Sequence, residues 1–406
     1  MTRILIAAAG SYGDVAPYTG LGARLREAGH DVTLATHDTF APLVTAAGLR
    51  FRPLAAGPEH RGRAAGQGRG ELMRTAADFV RNLGDGLADA AQEGADLLLL
   101  SATTAPLGWQ LAEAMGVPAV GAYLQPTHPT RDFPPVVGGT RSLGGLANRA
   151  FGRLTLRMVD RIHADAVREL RARLALPAAK PGAVRDRQER EERPVLYGFS
   201  PAVVPRPADW RPGLDVVGNW WPHVDHERPL PPELDAFLRA GPPPVFIGFG
   251  SMAAGEGERL SDIAVTALRA AGLRGVLQSG RAELAASGDD VLTIGEVPHA
   301  RLFPWVEAVV HHAGAGTTAA ALRAGVPAVP VPVMADQPFW AARLAALGAA
   351  TGPIPFKELT APRLADALCR AVREPGHADA AAGLARTMAA EDGAGQVLKA
   401  VERIVG

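Results

Sequence analysis

The sequence predicts an α/β protein made of two Rossmann-like domains that face each other across a cleft. The chain has 406 residues, and a single hydrophobic core usually divides beyond roughly 250 to 300 residues. In both halves, short apolar runs alternate with amphipathic stretches, a pattern typical of βαβ units and a parallel sheet. Ligands of such sheets bind beyond the carboxyl ends of the strands. The residues that follow each apolar run are therefore the first candidates for function.

The N-terminal domain is predicted over residues 1–205. Its apolar runs include RILIAAA near the N-terminus, ADLLLLS (95–101) and VPAVGAYL (117–124). Each run is apolar almost throughout, as expected for a strand that is covered on both faces. A long helix is predicted over 146–176, and a further strand over 194–200.

The region from about residue 201 to residue 244 is rich in proline. Proline at this density stops helices and central strands, so we expect connecting structure here, with an interdomain linker over 206–242. The alternation then resumes at PVFIGFGS and predicts a second Rossmann-like domain over 243–385. Residues 386–406 are expected to form a C-terminal helix that packs back on the N-terminal domain.

Charge and composition exclude several classes of protein. The 42 basic residues balance the 42 acidic ones, so no positive excess is available to hold a nucleic acid or an anionic bilayer. No run approaches the roughly 20 apolar residues of a membrane span, and the N-terminus lacks the features of a signal peptide. We therefore expect a cytoplasmic protein with no nucleic-acid partner and no transmembrane segment. The single cysteine, Cys369, excludes an internal disulfide. The run RQEREE (187–192) is expected to be an exposed charged loop with no catalytic or binding role.

The most informative segment is VVHHAGAGTTAAALRAGVPAVPVPVMADQPFW, residues 309–340. A strand ends in two histidines, a turn of small residues follows, and Gly316, Thr317 and Thr318 open a helix. The first N–H groups of a helix have no intrahelical partner, and the positive end of the helix dipole attracts anions. Because the glycines allow close approach of a ligand, the segment predicts a diphosphate site. It is neither the GxGxxG fingerprint nor a Walker motif, since it has no lysine in the turn.

This segment resembles the nucleotide-sugar signature of the family 1 glycosyltransferases with the GT-B fold. The resemblance is closest to the sterol-type and antibiotic-aglycone branch, in which an H-H-x-G-A-G-T-T turn precedes R-A-G-V-P and D-Q-P-F-W. Further matches are FIGFGSM (246–252), VPHARLFP (297–304) and GSYGDVAPY (10–18). The resemblance weakens between about 55 and 205, where acceptors are bound. It implies an inverting transfer of a sugar from a UDP- or dTDP-sugar to a hydroxyl group of a lipophilic natural product or a sterol-like molecule.

Carried over position by position, the resemblance implies three groups of donor contacts. The diphosphate contacts are the side chain of His312, donors from Gly314, Gly316, Thr317 and Thr318, and Ser251. The contacts to the hydroxyls of the donor sugar are Asp336 and Gln337. The nucleobase contacts are made by the main chain at Val297 and His299.

Two positions depart from the family pattern. Glu296 stands where many relatives place an aromatic residue that stacks on the base, and Ala320 stands where many uridine-diphosphate users have a glutamate for the ribose hydroxyls. A thymidine-diphosphate sugar has no 2′-hydroxyl, which suits the alanine. The sterol-type branch also lacks this acid and uses uridine donors, so the nucleotide stays open between the two.

Asp14 has two possible roles. The sequence GSYGD followed by Pro17 is typical of a turn in which the aspartate caps the next helix. The resemblance implies instead that Asp14 is the general base that takes the proton from the acceptor hydroxyl. We expect it to be the base.

Three other features also have alternative interpretations. Adjacent strand residues point to opposite faces, so we expect His312 to bind phosphate and His311 to be structural. Asp336 is either an N-cap or a sugar contact, and the pair Trp220 and Trp221 is expected to pack between domains. No D-x-D pair and no H-E-x-x-H motif is present, so neither a metal nor a cofactor other than the co-substrate is expected.

The acceptor site is the least defined. Tyr12, His128 and Phe133 are candidate acceptor contacts, and the protein is expected to be a monomer or a homodimer. Two alternatives to a glycosyltransferase are a catalytically silent nucleotide-sugar-binding partner protein and a nucleotide-sugar epimerase, which shares this two-domain shape and acts without an acceptor.

Overall fold

The structure, a computed structural model, describes residues 1–54, 69–225, 227–250 and 255–406, with the backbone alone described over 69–77. It contains a seven-stranded sheet in the N-terminal domain and a six-stranded sheet in the C-terminal domain. α-Helices connect most of the successive strands in both domains. The predicted α/β fold with two Rossmann-like domains is confirmed.

The sheet of the N-terminal domain is parallel throughout and has the order β3-β2-β1-β4-β5-β6-β7. Its central strands are buried along nearly their whole length because helices cover both faces. The strands are β1 (Arg3–Ala7), β2 (Asp31–Thr36), β3 (Arg50–Pro53), β4 (Leu97–Leu100), β5 (Ala119–Tyr123), β6 (Val195–Tyr197) and β7 (Leu214–Val216). The helices are α1 (Tyr12–Glu27), α2 (Ala41–Ala46), α3 (Arg69–Ala90), α4 (Ala105–Met115), α5 (Gly145–Arg173) and α6 (Ala183–Arg190).

The sheet of the C-terminal domain has the order β10-β11-β9-β8-β12-β13, and only the short edge strand β10 runs antiparallel. Its strands are β8 (Val245–Gly248), β9 (Gly275–Gln278), β10 (Ser287–Gly288), β11 (Val291–Ile294), β12 (Ala308–His311) and β13 (Ala328–Pro330). The helices from the linker onward are α7 (Pro232–Arg239), α8 (Gly257–Ala271), α9 (His299–Leu302), α10 (Ala315–Ala324), α11 (Gln337–Ala346), α12 (Ala361–Arg373), α13 (Pro375–Ala389) and α14 (Gly393–Val405).

Two segments differ from the expectations of the sequence analysis. The proline-rich region 206–242 is more than connecting structure, because it contains the edge strand β7 and the helix α7. Both are compatible with the prolines: β7 contains none, and the proline at the start of α7 needs no N–H donor in the first turn. The run 187–192 is also not a loop, since most of it belongs to α6.

The chain crosses between the domains twice, and the two crossing segments touch. The first crossing passes Gly218, and the second passes Glu391 and Gly393 before α14 begins. Glu391 accepts a hydrogen bond of 2.6 Å from the hydroxyl of Ser200, and a methyl group on Gly393 would lie only 2.2 Å from the carbonyl oxygen of Gly218. Helix α14 then packs against α1 and returns the C-terminus to the N-terminal domain.

The tryptophan pair in the first crossing segment makes contacts on both sides. Trp220 is buried and packs on Tyr18 of α1, with ring centroids 6.0 Å apart. The guanidinium of Arg323, on α10 of the C-terminal domain, lies 4.4 Å from the ring of Trp221. The pair therefore packs between the domains, as expected. Within the described residues, no helix combines the length and the apolarity needed to cross a membrane.

We expect Gly20→Ala to destabilise the protein through the first crossing segment. Gly20 lies on α1, and a methyl group there would be 1.9 Å from the carbonyl oxygen of Trp221. The free energy of unfolding, measured by urea denaturation, should fall by about 1 to 3 kcal/mol. Gly383→Ala in α13 is the matched control, because the nearest atom to its new methyl group is 3.8 Å away; it should stabilise by up to about 1 kcal/mol. Equal effects of the two substitutions would contradict this account.

Candidate active site

Asp14 lies in the first turn of α1, close to the carboxyl end of β1. Its Oδ2 atom accepts two hydrogen bonds of 2.8 Å, one from the backbone N–H and one from the hydroxyl of Ser11. Ser11 is the N-cap of α1 and Asp14 is the third helical residue, so the two form a capping box. The carboxylate therefore does stabilise the helix start, although it is not the N-cap itself. These two bonds also fix its position at the sheet edge.

Two neighbouring residues hold this turn in place. Gly10 has a φ of +143°, and a methyl group there would lie 2.4 Å from Oδ2 of Asp14, so only glycine fits beneath the carboxylate. The N–H of Gly10 donates a 3.0 Å hydrogen bond to Nε2 of buried His37. His37 was not among the residues predicted from the sequence; the available signal was its position directly after the apolar strand β2, at the same end of the sheet as Asp14.

The predicted diphosphate turn lies between β12 and α10. Helix α10 begins at Ala315, one residue earlier than expected, with Gly314 as its N-cap. The N–H of Thr318 donates to the carbonyl oxygen of Gly314 at 2.9 Å, so this backbone donor is used inside the helix. The N–H groups without intrahelical acceptors belong to Gly314, Ala315, Gly316 and Thr317. Thr318 keeps its hydroxyl as a possible ligand contact.

The two histidines before this turn have different surroundings. His311 is fully buried, and its Nδ1 accepts a 3.0 Å hydrogen bond from the N–H of Ala313, which has a left-handed φ of 61°. This is the structural role expected for His311. His312 is partly exposed and lies against two glycines: methyl groups on Gly250 and Gly314 would be 2.7 and 2.6 Å from its ring. Those glycines leave the space in which a ligand meets the imidazole.

Three buried polar atoms around the turn have no hydrogen-bond partner among the described residues. They are Nδ1 of His312, the hydroxyl of Thr318 and Nε2 of His311. Buried polar atoms are normally paired with protein, water or ligand. The imidazole of His312 and the hydroxyl of Thr318, on either side of the helix N-terminus, therefore suit a polar ligand such as a diphosphate.

Burial keeps the histidines of this region uncharged at neutral pH. It lowers the pKa of His311 to about 3 and the pKa of His312 to about 4. It also lowers the pKa of His299 to about 4, with His312 nearby as a second cause. In the unliganded protein, His312 is therefore available as a neutral donor of one N–H and not as a cation.

Asp336 occupies the N-cap position of α11, but its side chain makes no capping bond to that helix. Its Oδ2 atom instead accepts a 2.8 Å hydrogen bond from the indole N–H of Trp340. Burial raises the pKa of Asp336, and the nearby charge of Asp14 raises it further. The negative charge of Asp14, in the N-terminal domain, is therefore one cause of the raised pKa of Asp336 in the C-terminal domain.

Gln337 is buried beside Asp336, and its side-chain oxygen is already engaged. It accepts hydrogen bonds from the N–H groups of Val333 and Met334, at 2.8 and 3.1 Å. These bonds hold the turn before α11, in which Ala335 has a left-handed φ of 58°. The amide NH₂ is therefore the end of Gln337 that can reach a ligand.

The predicted nucleobase segment lies at the start of α9. Val297 is buried, and the ring of His299 stacks on Phe303 with centroids 4.4 Å apart. The His299 ring thus belongs to the packing, which leaves main-chain groups to meet a base. Glu296 is exposed, and its charge adds to burial in raising the pKa of Tyr12. Ser251, the remaining predicted phosphate contact, lies outside the described residues.

The three acceptor candidates have different surroundings. Tyr12 is half-exposed and meets Phe40 edge to face at 6.4 Å. Phe133 packs at the domain contact, with its ring 5.2 Å from that of Phe339. His128 is largely buried in an ion network and also lines a cavity of about 490 Å³.

The network around His128 holds Glu189 of the run 187–192 in a partly buried position, whereas residues 190–192 are exposed as expected. Nε2 of His128 lies 2.8 Å from the carboxylate of Glu189, Nδ1 contacts the hydroxyl of Tyr197, and Arg211 donates to Glu189 at 2.9 Å. Although burial opposes it, these hydrogen bonds lower the pKa of Glu189 to about 2. His128 is thus held by structural contacts, and only its part of the cavity wall faces a possible ligand.

Among the described residues, no group of three histidine, cysteine, aspartate or glutamate side chains is arranged to hold a metal ion. The site is defined by two carboxylates on facing domains and by a helix N-terminus with unpaired donors. This combination is typical of a two-domain α/β enzyme that acts on a phosphorylated donor.

Comparisons with known proteins agree with this assignment. A profile described as "Erythromycin biosynthesis protein CIII-like, C-terminal domain" matches residues 276–404, and one described as "Glycosyltransferase family 28 N-terminal domain" matches residues 4–85. O-mycaminosyltylonolide 6-deoxyallosyltransferase from Streptomyces fradiae is 36% identical over 96% of this chain and 94% of its own length. A sterol 3-beta-glucosyltransferase from Arabidopsis thaliana is 32% identical over 98% of this chain, which spans 65% of that protein.

A solved structure shares the fold. The glycosyltransferase VinC, solved in complex with dTDP, aligns over 99% of both chains with a TM-score of 0.67 and 24% identity. The chain belongs to the glycosyltransferase family that includes these antibiotic and sterol enzymes, and it is a glycosyltransferase with the GT-B fold. The family resemblance found in the sequence is confirmed.

The buried histidines predict a pH-dependent stability. Unfolding returns the pKa of His311 from about 3 toward its ordinary value of about 6.5. Between these values the unfolded chain binds a proton that the folded chain excludes, so the free energy of unfolding falls as the pH is lowered. The expected slope is about 1.4 kcal/mol per pH unit for each such imidazole. In His311→Asn, which retains an acceptor for Ala313, urea denaturation at pH 7, 6 and 5 should show a smaller slope. Parallel pH curves for the two proteins would refute the assignment.

Proposed function

We propose that the protein transfers a sugar from a nucleotide diphosphate to a hydroxyl group of a lipophilic acceptor, with inversion at the anomeric carbon. The observation that carries the proposal is the N-terminus of α10, where Nδ1 of His312 and the hydroxyl of Thr318 are buried without a hydrogen-bond partner among the described residues. A transferase of this kind needs one group for the acceptor and another for the donor sugar, on opposite sides of the bond that forms. Asp14 of the N-terminal domain and Asp336 of the C-terminal domain are proposed for these two roles.

The donor binds to the C-terminal domain. The N–H groups of Ala315, Gly316 and Thr317 at the positive end of α10 receive the diphosphate, with the hydroxyl of Thr318 and an N–H of His312 as further donors. Gly314 lets the phosphates approach the His312 ring closely, and Ser251 is proposed as a further phosphate contact. These donors stabilise the charge that develops on the leaving diphosphate. We therefore propose that no metal and no other cofactor takes part.

The sugar and the base are held beside the diphosphate. The carboxylate of Asp336 and the NH₂ group of Gln337 bind the sugar hydroxyls, while main-chain groups of Val297 and His299 contact the base. Both carboxylate and amide offer fixed hydrogen-bond geometry, which orients the anomeric carbon toward the N-terminal domain.

Asp14 acts as the general base. Its carboxylate takes the proton of the acceptor hydroxyl while the acceptor oxygen attacks the anomeric carbon from the side opposite the diphosphate. A bond forms between acceptor oxygen and carbon, the bond to the diphosphate breaks, and the single displacement inverts the configuration. Because a carboxylate is a weak base, proton transfer accompanies bond formation and does not precede it.

The names of two relatives and of one solved structure support the proposed substrate classes. The names of the Streptomyces and Arabidopsis relatives specify a tylonolide derivative and a sterol as acceptors, and VinC was solved with dTDP. We propose a UDP- or dTDP-sugar donor and a polyketide-like or sterol-like acceptor, with Tyr12 and Phe133 near its binding site.

A thermal-shift panel of UDP, dTDP and their sugars identifies the donor. Incubating that donor with macrolide aglycones and sterols should yield a glycoside detectable by mass spectrometry; its absence from every acceptor, with donor isomerised instead, would overturn the proposal.

We expect Asp14→Asn to lose turnover and keep donor binding. The amide oxygen can still accept from Ser11, so the start of α1 is retained, but the amide cannot accept the proton. Glycoside formation should fall by about 10² to 10⁴, while nucleotide affinity in calorimetry stays within about twofold of the parent protein. Asp38→Asn, at an exposed aspartate after β2, is the matched control and should leave turnover unchanged. Glycoside formation by Asp14→Asn at the parent rate would refute the role of base.

We expect His312→Ala to weaken binding of the nucleoside diphosphate. Loss of one buried hydrogen-bond donor should lower the affinity for UDP or dTDP by about 5- to 100-fold. Binding of the nucleoside without phosphate should change little, since the imidazole is assigned to the diphosphate alone. Calorimetry with both ligands tests this, with His377→Ala, whose ring contacts the carbonyl oxygen of Gly348, as the control. Unchanged diphosphate affinity in His312→Ala would contradict the assignment.

A further inference from the structure

The carboxylate of Asp336 is hydrogen-bonded to a residue of α11, the helix that Asp336 precedes. Trp340 lies four residues further along the chain, and its indole N–H donates a 2.8 Å hydrogen bond to Oδ2 of Asp336. At the N-cap position a carboxylate usually turns toward the first N–H groups of the helix, but this one makes no capping bond there. The indole thus determines where the carboxylate points.

The indole has little freedom to move. Trp340 is 2% exposed, and its ring lies edge to face against Phe339 at 5.2 Å. A second edge-to-face contact, at 5.9 Å, is made with Phe199, which follows β6 in the N-terminal domain. One turn further along α11, Arg343 donates a 3.0 Å hydrogen bond to the carbonyl oxygen of Val203, also in the N-terminal domain. Helix α11, which begins directly after Asp336, therefore packs against the N-terminal domain.

We propose that Trp340 is a positioning residue for the donor sugar: its N–H orients the carboxylate of Asp336 toward the sugar hydroxyls, and its contact with Phe199 makes this orientation depend on the N-terminal domain. The proposal rests on the proposed role of Asp336 as a sugar contact. It deepens that role, because the domain that holds the acceptor then also contributes to recognition of the donor sugar.

The same hydrogen bond affects the charge of the carboxylate. Burial raises the pKa of Asp336, and the nearby Asp14 raises it further, whereas the Trp340 hydrogen bond lowers it. Loss of the indole N–H therefore raises the pKa of Asp336. The ionised carboxylate is the form that accepts hydrogen bonds from hydroxyl groups. As the pH is lowered, a variant without the indole N–H should therefore lose sugar binding at a higher pH than the parent protein does.

Trp340→Phe tests the proposal, because it removes the N–H and keeps an aromatic ring between Phe199 and Phe339. Calorimetry gives the affinities for the nucleoside diphosphate and for the matching nucleotide sugar, UDP with UDP-glucose or dTDP with dTDP-glucose. The ratio of the two affinities isolates the contribution of the sugar. We expect Trp340→Phe to reduce nucleotide-sugar affinity by about 10-fold and to leave diphosphate affinity within about twofold of the parent value.

Two further variants define the comparison. Trp220→Phe is the matched control, because the indole N–H of buried Trp220 has no hydrogen-bond partner among the described residues; it should leave the ratio unchanged. Phe199→Leu keeps the indole N–H of Trp340 and changes only the ring contact that Trp340 makes with the N-terminal domain. It should reduce the ratio of nucleotide-sugar affinity to diphosphate affinity less than Trp340→Phe does. In Trp340→Phe, nucleotide-sugar binding measured from pH 5 to pH 8 should also decline at a higher pH than in the parent.

The outcomes separate this inference from the proposed function. If Asp336→Ala leaves the ratio unchanged, the sugar-binding role of Asp336 is wrong and the inference falls with it. If Asp336→Ala reduces the ratio while Trp340→Phe does not, only the positioning role is overturned. If Trp340→Phe weakens both ligands equally, its effect is general disruption of the domain, which also overturns the positioning role. An unchanged ratio in Phe199→Leu overturns the dependence on the N-terminal domain.

Discussion

Both domains place a helix N-terminus at the carboxyl end of a buried parallel strand, and the candidate site depends on this arrangement. The two helices use their positive ends differently. At α1 the protein supplies the negative charge itself, since Asp14 stands in the first turn and accepts from Ser11. At α10 the first turn contains no acidic residue, so its N–H groups remain for an external anion. The same structural unit thus carries a fixed carboxylate in the N-terminal domain and a helix N-terminus without an acidic residue in the C-terminal domain.

Left-handed backbone conformations flank the donor side. Ala313 lies just before α10 and Ala335 just before α11, and both have a positive φ, which is unfavourable for a residue with a side chain. Each strained turn is held by a side chain that accepts backbone N–H groups, His311 for the first and Gln337 for the second. Residues proposed for ligand contact therefore lie next to residues that support the turns, and Gln337 is assigned both tasks.

Local pattern in the sequence was enough to predict much of the fold and of the donor side. The apolar strands, the turn after β12 and the position of Asp14 all depend on residues close together in the chain. Other features required contacts between distant segments. No periodic pattern in the sequence indicates such contacts. Examples are the hydrogen bond from Gly10 to His37, the ion network of Glu189 and the ring contact between Trp340 and Phe199. Composition led to a wrong prediction in two segments. The charged run 187–192 was expected to be a loop, because its ion partners are not visible in the sequence. The proline-rich region 206–242 was expected to be connecting structure, but stretches with few prolines form β7 and α7 there.

The contact between the two crossing segments has a mechanical consequence. Because Gly393 lies against Gly218 and Glu391 is bonded to Ser200, both connections between the domains pass through one place. Because the two covalent connections lie together, a rotation of one domain about this place distorts the connecting chain less than a sliding movement does.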